Sequence, residues 1–128
     1  MIVCKSEAKK YRSTISNERD EMTYEAPEEK GGAVSGFTPH EMLEAALAAD
    51  MNVAIRVYAD KTGFPLTDVT TYVSIDKNTT SEVTIKYSVK LDGELNSQQK
   101  KLLLQSGLQT PVRSMLSKRI SILYSSRI

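Results

Sequence analysis

Thr38 to Gly63, TPHEMLEAALAADMNVAIRVYADKTG, is an apolar run at helical spacing with one carboxylate, Asp50, in its middle. Thr38 can N-cap this helix, Pro39 suits its first position, Glu41 completes a capping box, and Gly63 with Pro65 stops it. The result is a helix of roughly 24 residues, about 36 Å long. On a helical wheel Leu43, Ala46, Leu47, Ala54 and Val57 share a face with Asp50, and Met42, Ala45, Ala49, Val53 and Ile55 cover most of the rest. Glu44, Asn52, Arg56 and Asp60 form a thin polar stripe. A helix apolar around most of its circumference must be covered on several sides. A chain of 128 residues has little other material for the task, which implies a second protomer. An ionisable group buried in such a helix needs a partner or a function to offset its lost hydration.

The length fits one domain, residues 1–128, with no internal repeat, linker or low-complexity segment. The lack of Trp, with two Phe and six Tyr, argues against stacking platforms for single-stranded nucleic acid. Charge is nearly balanced at 17 basic against 16 acidic residues, yet from Asn96 onward Lys100, Lys101, Arg113, Lys118, Arg119 and Arg127 meet no acid. This is either an anion-attracting patch or, more plainly, a solvated face, and no nucleic-acid partner is expected. A single cysteine, Cys4, excludes an intramolecular disulfide and fits a reducing compartment. No signal peptide is visible, and no run of about 18 apolar residues could span a bilayer, so a soluble cytoplasmic protein is expected.

The spacing predicts two short strands between Ile2 and Glu25 with a turn at 17–20, then a loop from Ala26 to Phe37 whose Gly31-Gly32 pair marks a close backbone approach or special conformation. Val69, Thr71, Val73 and Ile75, then Val83, Ile85, Tyr87, Val89 and Leu91, alternate with polar residues and predict a hairpin through 77–81, ended by Asp92-Gly93. Asn96 with Gln99 caps a second helix that Gly107 would stop. Thr110-Pro111 opens a short third helix, and Ile120, Ile122 and Tyr124 predict a last strand.

Phosphate-binding glycine loops, HExxH, CxxC and Gly-x-Ser-x-Gly are all missing. One His and one Cys argue against a closed zinc site, and no metal or cofactor is expected. Three positions carry candidate chemistry. Asp50 is either an acid, base or ligand anchor, or a carboxylate paired with an Arg or held by backbone donors. Thr110 either offers its hydroxyl to a pocket or is an ordinary N-cap. His40, the sole histidine, lies in the first helical turn, where an exposed residue without a task is the plainer reading. It stands ten residues, or about 15 Å at ~1.5 Å per residue, from Asp50, so the two cannot pair within one helix.

The string from Thr38 to Ile75 resembles the OsmC/Ohr family, with its Ala-Ala-Leu-Ala-Ala-Cys helix. The match continues in Glu29-Lys30-Gly31-Gly32 through Gly36, in Leu91-Asp92-Gly93-Glu94-Leu95 through Leu104, and in Gln109-Thr110-Pro111-Val112-Arg113-Ser114-Met115-Leu116, which resembles the family's Cys-Pro-Val segment. The resemblance covers nearly the whole chain in the right order. It implies an α+β fold in which a long buried central helix is covered by antiparallel sheets of an intertwined homodimer. Peroxidase-type members reduce organic hydroperoxides with two cysteines, one in the long helix and one opening the Cys-Pro-Val helix, the second resolving the sulfenic acid of the first as a disulfide.

By the same resemblance, Asp50 and Thr110 stand where those cysteines would be, and neither can be oxidised as sulfur is. The position ten residues before Asp50, where many members place a Glu, holds His40, and the nearby acid is Glu41. Cys4 matches neither family cysteine. The expectation is therefore a pseudoenzyme that is not a thiol peroxidase. It keeps a dimer-interface pocket for a small apolar or peroxide-like ligand, with His40, Glu41, Asp50, Thr110 and Arg113 as pocket candidates and a possible stress-related role. The alternatives are an enzyme using Asp50 as a buried general acid or base, or residual organic hydroperoxide reductase activity.

Overall fold

The structure, a computed structural model, describes residues 1–30, 32, 36–77 and 80–127 and divides into two compact units, Met1–Met42 and Leu43–Ile128. The first unit is a three-stranded antiparallel sheet, β1 (Val3–Ser6), β2 (Arg12–Ser16) and β3 (Glu21–Glu25), in the order β1-β2-β3. The sequence reading expected two strands here. The chain makes three because it reverses twice, first over residues 7–11 with Tyr11 in the left-handed region at φ 64°, then at Asn17. The Asn17 side chain accepts hydrogen bonds from the N–H groups of Arg19 and Asp20 at 2.7 and 2.8 Å, as asparagine does in turns. The first reversal is also held by charge, with Arg12 on Glu7 at 3.0 Å and Lys9 on the buried Glu25 at 2.7 Å.

The following loop contains one 3-10 turn, Glu28–Lys30, and Gly32 lies so close to Ala26 that a Cβ would sit 1.9 Å from its carbonyl oxygen. The close approach expected of the glycine pair is thus found at Gly32, while Gly31 lies outside the described residues. The capping box forms as read, with Glu41 N–H donating to Thr38 Oγ1 at 3.3 Å and Thr38 N–H to Glu41 Oε2 at 2.7 Å. Helix α1 runs Pro39–Thr62 and ends at Gly63, φ 71°, where Phe64 N–H reaches back to the Ala59 carbonyl.

In the second unit α1 continues beside the antiparallel hairpin β4 (Leu66–Asp76) and β5 (Thr84–Gly93), followed by α2 (Ser97–Leu108) and α3 (Pro111–Leu116). Part of the expected hairpin turn, residues 78–79, lies outside the described residues. Ile55 and Ala59 of α1, Leu66 and Val69 of β4 and Leu103 of α2 form the core, with Tyr58, Phe64, Val89, Leu91 and Leu95 around them. The polar stripe of α1 does specific work: Asn52 Nδ2 donates to the Val69 carbonyl at 3.0 Å, and Arg56 Nη1 donates to the Leu66 carbonyl at 2.8 Å. Glu44 Oε1 accepts from Ile75 N–H at 2.8 Å. These side chains satisfy backbone groups that a strand at the edge of a sheet would otherwise leave unpaired.

Helix α2 has the expected reciprocal Asn96–Gln99 cap, but Gly107 does not stop it. Gly107 lies within α2, where a Cβ would fall 2.9 Å from Ile55 Cδ1, so its small size serves the packing of α2 on α1. The strand expected at 120–124 is also absent. Those residues form no strand, and Ile122 and Tyr124 are both 94% exposed, because a strand requires a neighbouring edge and no described segment of this chain supplies one.

Candidate functional site

One face of α1, Leu47, Met51, Ile55 and Ala59, is buried within the chain. Another is bare: Leu43, Val53 and Val57 are 54%, 60% and 42% exposed, and Ala46 and Ala49 beside them are exposed too. Asp50 lies between the two faces and is half-buried, not fully buried as the apolar helix implied.

Its Oδ2 accepts the backbone N–H of Val112 at 2.9 Å, 62 residues further along the chain. Val112 is the second residue of α3, whose first N–H groups have no acceptor within the helix. Thr110 occupies the N-cap position with extended backbone, φ −118° and ψ 150°, but its side chain makes no capping bond. Asp50 thus supplies from α1 the capping bond that Thr110 would make on the N-cap reading of the sequence. Of the two structural alternatives for Asp50, pairing with an Arg or engagement by backbone donors, the second is found, and among the described residues the carboxylate forms no ion pair. Thr110 itself is only 3% exposed, and its Oγ1 has no hydrogen-bond partner among the described residues, an arrangement that costs about 1–3 kcal/mol.

Two concavities flank α3. A half-open one of about 250 Å³ lies between α1 (Leu47, Met51), β5 with the residue before it (Val83, Ile85, Tyr87) and α3 with its C-cap (Arg113, Leu116, Ser117). An open groove of about 610 Å³ runs along the α2–α3 junction past Gln109, Thr110, Arg113, Ser114 and Lys118. Arg113 lines both, and its Nη1 donates to the Leu108 carbonyl at 3.2 Å. Of the residues singled out from sequence, α3 gathers Asp50, Thr110 and Arg113, whereas His40 is exposed in the first turn of α1 and Glu41 serves the capping box. Leu47, Met51, Ile85, Tyr87 and Leu116 were not singled out, because core-facing periodicity looks the same whether the face meets packed atoms or a void.

Cys4 is exposed on β1. Among the described residues no group of three or more His, Cys, Asp or Glu side chains gathers as metal ligands would, and no helix is long and apolar enough to cross a membrane.

Residues 30–125 match the family model described as OsmC-like protein, and the chain belongs to that family. Its fold is that of an OsmC-like protein from Mycoplasma pneumoniae (TM-score 0.74, 14% identity, 91% of this chain and 85% of that one). It also matches a putative osmotic stress induced and detoxification response protein from Psychrobacter arcticus (TM-score 0.68, 22% identity, 89% and 85%). A third likeness is to an organic hydroperoxide resistance protein OsmC from Legionella pneumophila (TM-score 0.63, 19% identity, 91% and 89%). No curated protein sequence matches the chain.

Proposed function

We propose that this chain is a homodimeric OsmC-like protein that keeps the family frame without thiol peroxidase chemistry and holds a small, partly apolar molecule in the cavity beside α3. The observation that carries this reading is the Asp50–Val112 hydrogen bond. Where the resemblance places a reactive thiol, the chain has a carboxylate engaged in holding α3 against α1, and Thr110 stands in the second thiol position. A thiol pair that works as a unit is useless once either member is lost, so loss of both leaves binding as the function the frame can still serve. The engagement of Asp50 with a backbone donor, and its absence from the cavity lining, speak against a general acid or base role. Retained use of a family pocket is supported by a likeness to a putative organic hydroperoxide resistance protein from Vibrio cholerae, whose structure holds captopril in one of its active sites.

The homodimer is supported by the bare apolar face of α1, because a contiguous exposed patch of this kind marks a contact surface. It is also supported by the unpaired C-terminal segment, whose exposed Ile120, Ile122 and Tyr124 alternate as a strand does. The ligand reading is tested by titrating 1-octanol into the purified chain and following amide shifts. Saturable shifts at Met51, Ile85 and Leu116 are expected, and Leu116→Trp, which fills the cavity, should abolish them. Shifts that persist unchanged in Leu116→Trp would place binding elsewhere and overturn the reading.

A further inference from the structure

The geometry points to an amphipathic monoanion, a short alkyl carboxylate, as the ligand class of the cavity, with Arg113 as the anchor for its carboxylate. This deepens the cavity reading above and rests on it. Leu47, Met51, Ile85 and Leu116 give the cavity an apolar wall that suits a hydrocarbon tail, beside a polar wall that includes Arg113 and Ser117. A volume of about 250 Å³ is below the ~300–1,000 Å³ typical of sites for drug-sized molecules, so the tail is short.

The charge lies at the boundary. Arg113 lines both the apolar cavity and the open groove, and in that groove Lys118 supplies a second cation. None of the described residues lining either concavity is acidic. Among the described residues neither Arg113 nor Lys118 has a carboxylate within ion-pair distance. Arg113 gives one donor, Nη1, to the Leu108 carbonyl, a bond that steadies the guanidinium while leaving the rest of its fork for a carboxylate. A tail in the cavity and a carboxylate on Arg113 would use both surroundings at once, whereas a neutral apolar ligand would leave the cations idle.

The test is calorimetric titration of the intact chain with octanoate, 1-octanol and acetate. Octanoate should bind at least about tenfold more tightly than 1-octanol, the difference a charge-assisted hydrogen bond makes, and acetate should bind more weakly than either. Arg113→Met, which keeps the length and apolar stem, should remove the preference for octanoate over 1-octanol. Equal affinity of wild type for octanoate and 1-octanol would overturn the anionic class while leaving the cavity reading standing, and needs no variant. Acetate binding as tightly as octanoate would overturn the amphipathic class. If no probe binds, this inference and the cavity reading fall together.

Discussion

Asp50→Ala is expected to loosen α3 and destabilise the protein by about 1–2 kcal/mol, the range for loss of a helix cap or a hydrogen bond to a charged acceptor. The substitution leaves Val112 N–H, half-buried at the start of α3, without its acceptor. Asp50 is itself half-exposed, so water recovers part of the loss, and the upper end of the usual range for charged acceptors is not expected. Asp50→Asn keeps a side-chain oxygen in the same place and should lose much less. The discriminating readout is local. Hydrogen exchange at the Val112 amide should accelerate about tenfold in Asp50→Ala, which corresponds to ~1.4 kcal/mol, with little change at the amides of β4. Unchanged exchange at Val112 would mean that the carboxylate does not hold α3.

Val53→Glu should have the largest effect on assembly, converting the proposed homodimer to monomer at micromolar concentration. Val53 is 60% exposed in the middle of the bare face of α1, between Ala49 and Val57. A glutamate there costs the single chain almost nothing, because its carboxylate remains in water. In a dimer that covers this face the same carboxylate would be stripped of water without a designated cation, at a cost of several kcal/mol. Such a cost weakens association by at least about two orders of magnitude. Sedimentation velocity should show wild type as a dimer and Val53→Glu as a folded monomer with an unchanged far-ultraviolet circular dichroism spectrum. A dimeric Val53→Glu would place the interface elsewhere.

Both predictions concern α1, the element whose start, length and stop were legible in the sequence, because Thr38–Glu41 and Gly63 are local signals that act within one turn. The Asn96–Gln99 cap and the alternation of β4 and β5 were legible for the same reason. Gly107 was misread as a helix stop, since sequence does not reveal that Ile55 of another helix lies where its Cβ would be. The reversal at Tyr11 was hidden, because a non-glycine residue at φ 64° leaves no compositional mark. The stripe of Glu44, Asn52 and Arg56 was legible as polar, but not that it binds the backbone of β4, because polar spacing alone does not separate that role from a solvated face.

For the candidate site, sequence identified Asp50 as anomalous but could not say what it touches. Its partner is a backbone amide 62 residues away, and a backbone donor has no side-chain signature to read. Thr110 was legible as a helix start, yet its orphaned hydroxyl follows from Asp50 having taken over the capping, a tertiary effect. Of the cavity beside α3 only Arg113 was singled out in the sequence, since its apolar walls carry the pattern of a packed core.

The measurement that tests the central claim most directly is consumption of cumene hydroperoxide in the presence of a dithiol reductant, with wild type and Cys4→Ser compared at equal concentration. Neither protein is expected to consume hydroperoxide catalytically above the protein-free rate, because Cys4 is the only thiol in the chain and matches neither family cysteine. Catalytic turnover that survives in Cys4→Ser would contradict the account, because it would require peroxide reduction by a chain with no thiol.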